Sequence, residues 1–156
     1  MEITLKWLEE KSACAEGTRW FKAQKETDAI KVIEKLIVEN KLLWANWTIC
    51  RVFNYKQRVQ YAVFAAEQVI DIFEKKYPKE KRPRKAIEAA KKCIDNPSKE
   101  NNAAADAAYA AADAAAADAA ADAADAAAYA ADAAYAALRI KILKYGLKII
   151  SKENKK

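Results

Sequence analysis

The chain has 156 residues with two glycines, three prolines and no histidine, and its formal net charge is +6. This length suits one compact domain, and so few glycines and prolines favour helices over a sheet. The lack of histidine excludes a Ser-His-Asp triad and histidine metal ligands, so we expect no catalytic residues, no metal site and no cofactor.

Cysteine spacing and hydropathy indicate where the protein resides. Cys14, Cys50 and Cys93 are odd in number and show no CxxC spacing, which favours reduced thiols over disulfides or a zinc site. The segment MEITLKWLEEKSACAEG is charged and lacks the apolar region of a signal peptide. Because no run of about twenty apolar residues other than alanine exists, we expect a soluble, cytoplasmic protein that does not contact a membrane.

Periodic apolar residues predict three helices in the N-terminal third. Residues 3–14 predict a first helix that Gly17 ends or redirects. Thr27 or Asp28 can cap the next helix, because side-chain oxygens at this position accept from free backbone amides. The third helix covers residues 41–54.

The clearest amphipathic segment is 57–77, which we predict to be one helix. Its apolar stripe recurs at helical period and comprises Val59, Ala62, Val63, Ala66, Ile70, Phe73 and Tyr77. Glu67, Asp71 and Glu74 form an acidic seam beside the stripe. Pro78 ends the helix because it has no backbone amide proton and disfavours helical geometry in the residue before it.

A basic turn follows and leads into a predicted helix over 84–95, which Pro83 is well placed to begin. The basic side chains are Lys75, Lys76, Lys79, Lys81, Arg82, Arg84, Lys85, Lys91 and Lys92. No recognition-helix motif or Gly-rich phosphate loop accompanies them, so we do not expect nucleic acid as a partner. We interpret the cluster as a solvated turn whose arginines pair with Glu67 and Asp71; a small anion or an acidic protein partner is the alternative.

Residues 103–137 form an alanine tract with six aspartates, three tyrosines and no positive charge. Alanine has the highest intrinsic helix propensity, so the whole tract is predicted to be helical. One straight helix from Ser98 to Ile150 would be about 75 Å long, far longer than a compact chain of this size is wide. The tract therefore projects as an arm, pairs with another chain, or breaks near Asp113–Asp118 into a helix pair.

Three interpretations of the tract stay open. It can be a scaffold helix, because small residues let helices approach closely. It can be a partner-binding arm, with Asp118, Asp122 and Asp125 attracting a basic protein. The weaker alternative is an ice-binding surface, although threonine at regular spacing is missing. The tract also offers a surface through which copies of the chain could form a homo-oligomer.

These elements predict an all-α fold, a single-domain bundle of about six to seven helices with a long alanine-rich C-terminal helix or helix pair. Residues 1–97 supply the amphipathic helices of the core. Residues 98–150 form the alanine-rich region, and residues 151–156 form a basic tail.

Aromatic and arginine side chains are the best candidates for a ligand pocket. Ring faces together with guanidinium groups suit a nucleobase and its phosphates, and the candidates are Trp20, Trp44, Trp47, Tyr61 and Phe64 with Arg51 and Arg58. The alternative is that the tryptophans fill a core that alanine cannot fill.

Several segments together resemble one family: ACAEGTRWF at 13–21, WANW at 44–47, YAVFAAEQVIDIFEKKYP at 61–78 and RPRKAIEAA at 82–90, followed by the alanine-rich region. The combination resembles the bacterial immunity proteins with an Imm-5-like domain, and it covers most of the chain. The resemblance implies a non-catalytic, all-α protein that binds and neutralises a toxin. The positions that match the family pattern are Glu67, Arg82, Pro83, Arg84, Ala86, Ile87 and Ala90.

The leading hypothesis is therefore a non-enzymatic, immunity-type protein that binds and neutralises an effector or toxin. The predicted binding residues are Trp44, Trp47, Arg51, Arg58, Tyr61, Glu67, Arg82 and Arg84. The alternative is a phage-type sponge, an anti-defence protein that sequesters a nucleotide immune signal. Glu67 and Asp71 as paired catalytic carboxylates are disfavoured, since such acids beside a basic turn more often form structural ion pairs.

Overall fold

Periodic apolar residues with few helix breakers produce helices throughout the part of the chain that can be described. A computed structural model describes residues 1–96 and 128–153, and in the last helix it describes the side chains of 135–152. These residues form eight α-helices and no strand, which confirms the predicted all-α class. The helices are α1 Leu5–Glu10, α2 Ala15–Gln24, α3 Ala29–Val38, α4 Leu42–Val52, α5 Tyr55–Glu67, α6 Ile70–Lys76, α7 Arg82–Asp95 and α8 Ala128–Glu153.

The chain divides into two compact units. One comprises Met1–Asn54 with Leu143–Lys156, and the other comprises Tyr55–Ile142. The single-domain organisation accordingly stays a prediction. Among the described helices, none combines the length and the apolar character needed to cross a membrane.

Most of the alanine tract, residues 103–127, lies outside the described residues. The predicted break near Asp113–Asp118 and the predicted partner-binding arm, formed by Asp118, Asp122 and Asp125, lie outside them as well. From Ala128 onward the tract is helical, as predicted, and forms the start of α8.

The prediction that Gly17 ends or redirects the first helix is wrong, because Gly17 lies in the first turn of α2. The chain turns earlier, at Ser12, whose φ of 57° is in the left-handed region. There the amide of Ala13 donates to the carbonyl of Leu8 at 2.8 Å, which is the long hydrogen bond of a Schellman motif. α2 then begins after Cys14, whose Sγ accepts from the amide of Gly17 at 3.3 Å.

Asp28 caps α3, as one of the two predicted candidates. Its Oδ1 accepts a hydrogen bond from the amide of Lys31 at 3.1 Å, which satisfies one free donor of the first turn. α3 ends at Val38, and the turn that follows contains another left-handed residue, Asn40, with a φ of 56°. The short turn returns the chain so that α4 packs against α3.

Apolar residues at helical spacing form the core of the first unit. On α3 and α4 the buried apolar residues are Ala29, Val32, Ile33, Leu36, Leu42, Ala45 and Ile49. At the C-terminal end of α8, Leu143, Gly146 and Ile150 recur at three- and four-residue spacing and are also buried. The 3.6-residue period therefore selects the buried face of each of these helices.

The core of the second unit lies between α5 and α7. Its buried members are Val59, Val63, Ala66, Ile70, Ile87, Ala90 and Cys93, with Phe73, Ala86 and Ile94 partly buried against them. This cluster confirms the predicted stripe at Val59, Val63, Ala66, Ile70 and Phe73, whereas Ala62 of the stripe is half-buried and outside the cluster. Tyr77 is 41% exposed, so its predicted place in the stripe is wrong.

The single helix predicted over 57–77 is two helices. The backbone amides of Gln68 and Val69 bond to carbonyls three residues earlier, at 3.2 and 3.1 Å, and this tighter turn separates α5 from α6. The side-chain amide of Gln68 also donates to the carbonyl of Phe64 at 3.0 Å. Val69, in this turn, and Ile70, the first residue of α6, are both buried.

α7 agrees with the predicted helix over 84–95 within the uncertainty usual for helix ends. It begins two residues earlier, at Arg82, and Pro83 lies in its first turn, where an amide proton is not needed. Asn96 follows its last residue and leaves helical geometry.

Candidate functional site

The two tryptophans of α4 belong to two separate aromatic pairs. The ring of Trp44 lies 6.4 Å from that of Trp20 between centroids, and the ring of Trp47 lies 6.0 Å from that of Trp7, nearly perpendicular to it. All four rings are half-buried. Although Trp44 and Trp47 are one turn apart on the helix, α1 and α2 supply a different partner to each.

The pair formed by Trp44 and Trp20 is surrounded by charges that neutralise one another. The indole Nε1 of Trp20 donates to Glu39 at 2.7 Å. The ammonium group of Lys41 lies 3.6 Å from the same carboxylate and 5.5 Å from the centroid of the Trp44 ring. With the indole and the ammonium group both directed to Glu39, this pair has the character of a structural contact between α2 and α4.

The pair formed by Trp47 and Trp7 carries a stacked arginine. The guanidinium carbon of Arg51 lies 4.3 Å from the centroid of the Trp47 ring. Arg51 is exposed, and no carboxylate of the described residues forms an ion pair with it. A stacked guanidinium keeps its N–H groups directed outward, where they can bind a carboxylate or a phosphate in two-pronged fashion.

Three members of the predicted pocket, Arg58, Tyr61 and Phe64, belong to the second unit. Tyr61 is buried and therefore serves the packing of α5, Phe64 is half-buried, and Arg58 is exposed. Neither unit contains all seven predicted pocket residues. In the first unit, Trp20 packs against Trp44 and Arg51 stacks on Trp47.

Arg84 is the centre of an ion-pair group that joins α6 to α7. Its Nε and Nη2 each donate to one oxygen of Glu74 at 2.7 Å, and Nη2 also donates to Asp71 at 2.9 Å. Asp71 and Glu74 are three residues apart and share a face of α6, so one guanidinium reaches both. The hydrogen bonds from Arg84 hold the pKa of Glu74 below its usual value, and those carboxylates raise the pKa of Arg84.

Arg82 binds the neighbouring carboxylate of Glu80. The Nε of Arg82 donates to both oxygens of Glu80 at 2.9 and 2.8 Å, and the backbone amide of Arg82 donates to the first of them at 2.9 Å. These hydrogen bonds lower the pKa of Glu80 to about 2. The same carboxylate thus fixes both the side chain of Arg82 and the start of α7.

Glu67 pairs with a lysine and not with an arginine. Lys91 of α7 lies 2.8 Å from Glu67 at the end of α5 and 3.2 Å from Glu88. The hydrogen bond to Glu67, followed by that to Glu88, raises the pKa of Lys91. The predicted pairing of the basic turn is therefore confirmed for Arg84 with Asp71 and wrong for Glu67.

Sequence reasoning missed several residues of these groups. Trp20 was predicted to lie in one pocket with Trp44 and Trp47, whereas Trp7 was not predicted as a ring partner, because contacts between separate helices leave no periodic signal. Glu74 lies in the predicted acidic seam, and its three-residue spacing from Asp71 was the available signal that both face one arginine. Lys91 lies one turn beyond Ile87 and Glu88, and only the packing of α7 against α5 brings it to Glu67.

Fold and site define an all-α protein in which three helices, α5, α6 and α7, are held by a shared apolar core and by surface ion pairs. The chain belongs to the family described as Imm-5 like putative immunity protein, whose model matches residues 50–156. This membership indicates an immunity-type function. Neither the curated proteins nor the solved structures contain a match to the chain.

The family match covers only part of the segments on which the resemblance rested. YAVFAAEQVIDIFEKKYP and RPRKAIEAA lie inside it, as do Arg51, Glu67 and Arg84. ACAEGTRWF and WANW precede residue 50 and lie outside the match, so Trp44 and Trp47 do as well.

Proposed function

We propose that the protein is a non-enzymatic, immunity-type protein that binds a protein effector or toxin and neutralises it stoichiometrically. The observation that carries this proposal is the family match over residues 50–156, which includes all of α5, α6, α7 and α8. An immunity protein acts by occupying its partner, so the relevant chemistry is that of an interface.

The ion pairs that the carboxylates form support a binding function over a catalytic one. Glu67 and Asp71, the carboxylates weighed above as a catalytic pair, bind Lys91 and Arg84, respectively. Carboxylates that are engaged in ion pairs with cations are poorly available for proton transfer to a substrate. The chain also has no histidine to take that role.

The stacked pair Arg51 and Trp47 is the predicted binding feature that suits a protein partner best. Tryptophan and arginine are the residues most enriched among those that dominate interface energies. Arg51 is held over the Trp47 ring before binding, so little side-chain entropy is lost when its N–H groups meet a carboxylate. We therefore place one effector contact at this pair.

A cytoplasmic location is part of the proposal. Cys14, Cys50 and Cys93 are thiols and none is in a disulfide, in keeping with a reducing compartment. The binding arm of Asp118, Asp122 and Asp125 and a homo-oligomer formed through the alanine-rich helix stay predictions, since they depend on the tract.

Affinity capture tests the proposal. The tagged chain is used as bait in a lysate of the cells that produce it, at low and high salt, beside the variants Arg51→Ala and Lys22→Ala. Lys22 is exposed on α2 and serves as the matched control. We expect one effector to be retained by the unmodified bait and by Lys22→Ala and to be reduced on Arg51→Ala. The purified effector must then lose its toxicity when the chain is added.

Failure to retain any protein partner at low salt would contradict the proposal. The nucleotide-sponge alternative also draws on the stack of Arg51 on Trp47, because a guanidinium can bind phosphate. Thermal-shift measurements with cyclic and ADP-ribose-type nucleotides separate the two functions. Stabilisation by such a nucleotide, lost in Arg51→Ala, would favour the sponge.

A further inference from the structure

Ion pairing divides the basic side chains around the α6–α7 turn into two groups. Residues 71–85 carry seven cationic and three anionic side chains. The three carboxylates are taken up by Arg82, Arg84 and Lys81, the last at 3.9 Å from Glu74. The two arginines, which would otherwise bind phosphate in two-pronged fashion, are therefore already engaged by carboxylates.

Three lysines stay exposed next to these pairs. Lys75 lies in the last turn of α6, Lys79 in the connecting turn and Lys85 in the first turn of α7, so all three are within about one helical turn of the connection. Within the described part of the chain, no carboxylate pairs with any of them. Their charge is available to an outside partner.

Apolar side chains accompany the lysines. Ile72 is 55% exposed, one turn before Lys75 and Lys76 on α6. Tyr77, at the end of α6, contacts Phe73 with ring centroids 5.0 Å apart, and the ammonium group of Lys76 lies 5.4 Å from its ring centroid. We call the group of Ile72, Lys75, Tyr77, Lys79 and Lys85 the α6–α7 tip.

We propose that the α6–α7 tip is a docking surface for an acidic protein surface that also presents an apolar side chain. The excess positive charge attracts carboxylates. The exposed Ile72 can pack against an apolar side chain of a protein, which a phosphate backbone does not supply. The ring of Tyr77 already contacts Phe73 and Lys76, which disfavours stacking of a nucleobase. The α6–α7 tip would thus bind an acidic surface of the effector, and this assignment of the partner rests on the proposed immunity function.

Binding of defined polymers to the full chain tests the docking surface without the effector. The probes are polyglutamate, a copolymer of glutamate and tyrosine, and a single-stranded oligonucleotide of equal charge. The variant Lys75→Gln, Lys79→Gln, Lys85→Gln removes the lysines of the tip. Its matched control is Lys22→Gln, Lys35→Gln, Lys56→Gln, which removes as much charge from exposed lysines elsewhere.

We expect the copolymer to bind more tightly than polyglutamate or the oligonucleotide. Loss of the tip lysines should weaken copolymer binding roughly tenfold or more, and the control should weaken it less than about twofold. Ile72→Asn should remove the advantage of the copolymer over polyglutamate, whereas Val38→Asn, at a still more exposed apolar residue of α3, should keep it. Circular dichroism melts confirm that each variant is folded.

Three results would overturn the docking proposal. Equal losses of binding in the two triple variants would reduce the effect to net charge, and tighter, tip-dependent binding of the oligonucleotide would assign the surface to nucleic acid. The third is that neither polypeptide binds at low salt. Capture of an effector without polymer binding would support the immunity function and would mean that the effector binds another surface of the chain. Polymer binding without an effector would support the tip and count against the proposed function.

Discussion

The arginines of this chain differ in what their guanidinium groups bind. Arg84 donates to Glu74 and Asp71, and Arg82 donates to Glu80, so both are committed within the chain. Arg51 stacks on Trp47 and meets no carboxylate among the described residues. Arginines at predicted sites thus have different roles. Whether the guanidinium group already binds a carboxylate of the same chain decides whether it can bind a partner.

The carboxylate of Glu80 makes stability depend on pH. Because hydrogen bonds from Arg82 lower its pKa from 4.5 to about 2 in the folded chain, this carboxylate stabilises the fold above pH 4.5, and the contribution is lost as the pH falls toward about 2. We expect Glu80→Gln to melt below the unmodified chain at neutral pH and the two melting temperatures to converge near pH 2. Both groups are exposed, so salt should reduce the difference.

Thermal melts between neutral pH and about pH 2 measure this effect. Glu34→Gln is the matched control, because Glu34 is exposed on α3 and forms no ion pair within the described residues. A difference between Glu80→Gln and the unmodified chain that stayed constant over the whole range would show that the carboxylate does not act through its ionisation.

Two neighbouring isoleucines of α6 separate core packing from surface exposure. Ile70 is 5% exposed and belongs to the cluster between α5 and α7, whereas Ile72 is 55% exposed. Ile70→Ala should lower the free energy of unfolding by about 2–5 kcal/mol, because it leaves a cavity. Ile72→Ala should change it by less than about 0.5 kcal/mol. Denaturant unfolding measures both, and similar losses would mean that the buried face of α6 is wrongly assigned.

Some helix boundaries can be predicted from the local sequence, and others cannot. Asp28 was one of two predicted caps of α3, and Pro83 was predicted to begin the helix that starts at Arg82, because helix ends of this kind depend on a few neighbouring atoms. The turns at Ser12 and Val69 were not predicted. Ser12 adopts a left-handed φ without being glycine, and no glycine or proline marks the break at Val69.

The cap of α3 gives a prediction at the scale of one element. Asp28→Ala should lower the free energy of unfolding by about 1 kcal/mol, because the amide of Lys31 loses its acceptor. Asp28→Asn keeps an acceptor oxygen and should lose only a few tenths of a kcal/mol. Chemical denaturation compares the two. Equal losses would show that the charge of Asp28 matters and that its capping hydrogen bond does not.

The site was less predictable from the sequence than the fold. The regular spacing of apolar residues identified the buried faces of α5 and α7, because buried positions recur at a fixed period along a helix. Which charges meet is decided by how helices are placed against each other, so Glu67 was assigned to an arginine and binds Lys91 instead. For the same reason Trp44 and Trp47, one turn apart, were grouped together although each packs against another tryptophan.

Charge is distributed unevenly over the whole molecule. Residues 103–137 carry six aspartates and no cation, so the rest of the chain has a formal charge of +12. Such an imbalance speeds association with partners of complementary charge and makes it sensitive to salt. The α6–α7 tip and Arg51 belong to the basic part, which directs both proposals toward acidic groups on the effector.

The central claim is that the chain neutralises a protein effector by occupying it, without turnover. The most direct measurement is a titration of the activity of the captured effector with increasing amounts of the purified chain, read at several incubation times. We predict that activity falls linearly to zero at a fixed molar ratio and that the end point does not move with time. Loss of activity that grows with time at amounts far below that ratio would contradict the claim, because only a catalyst acts repeatedly.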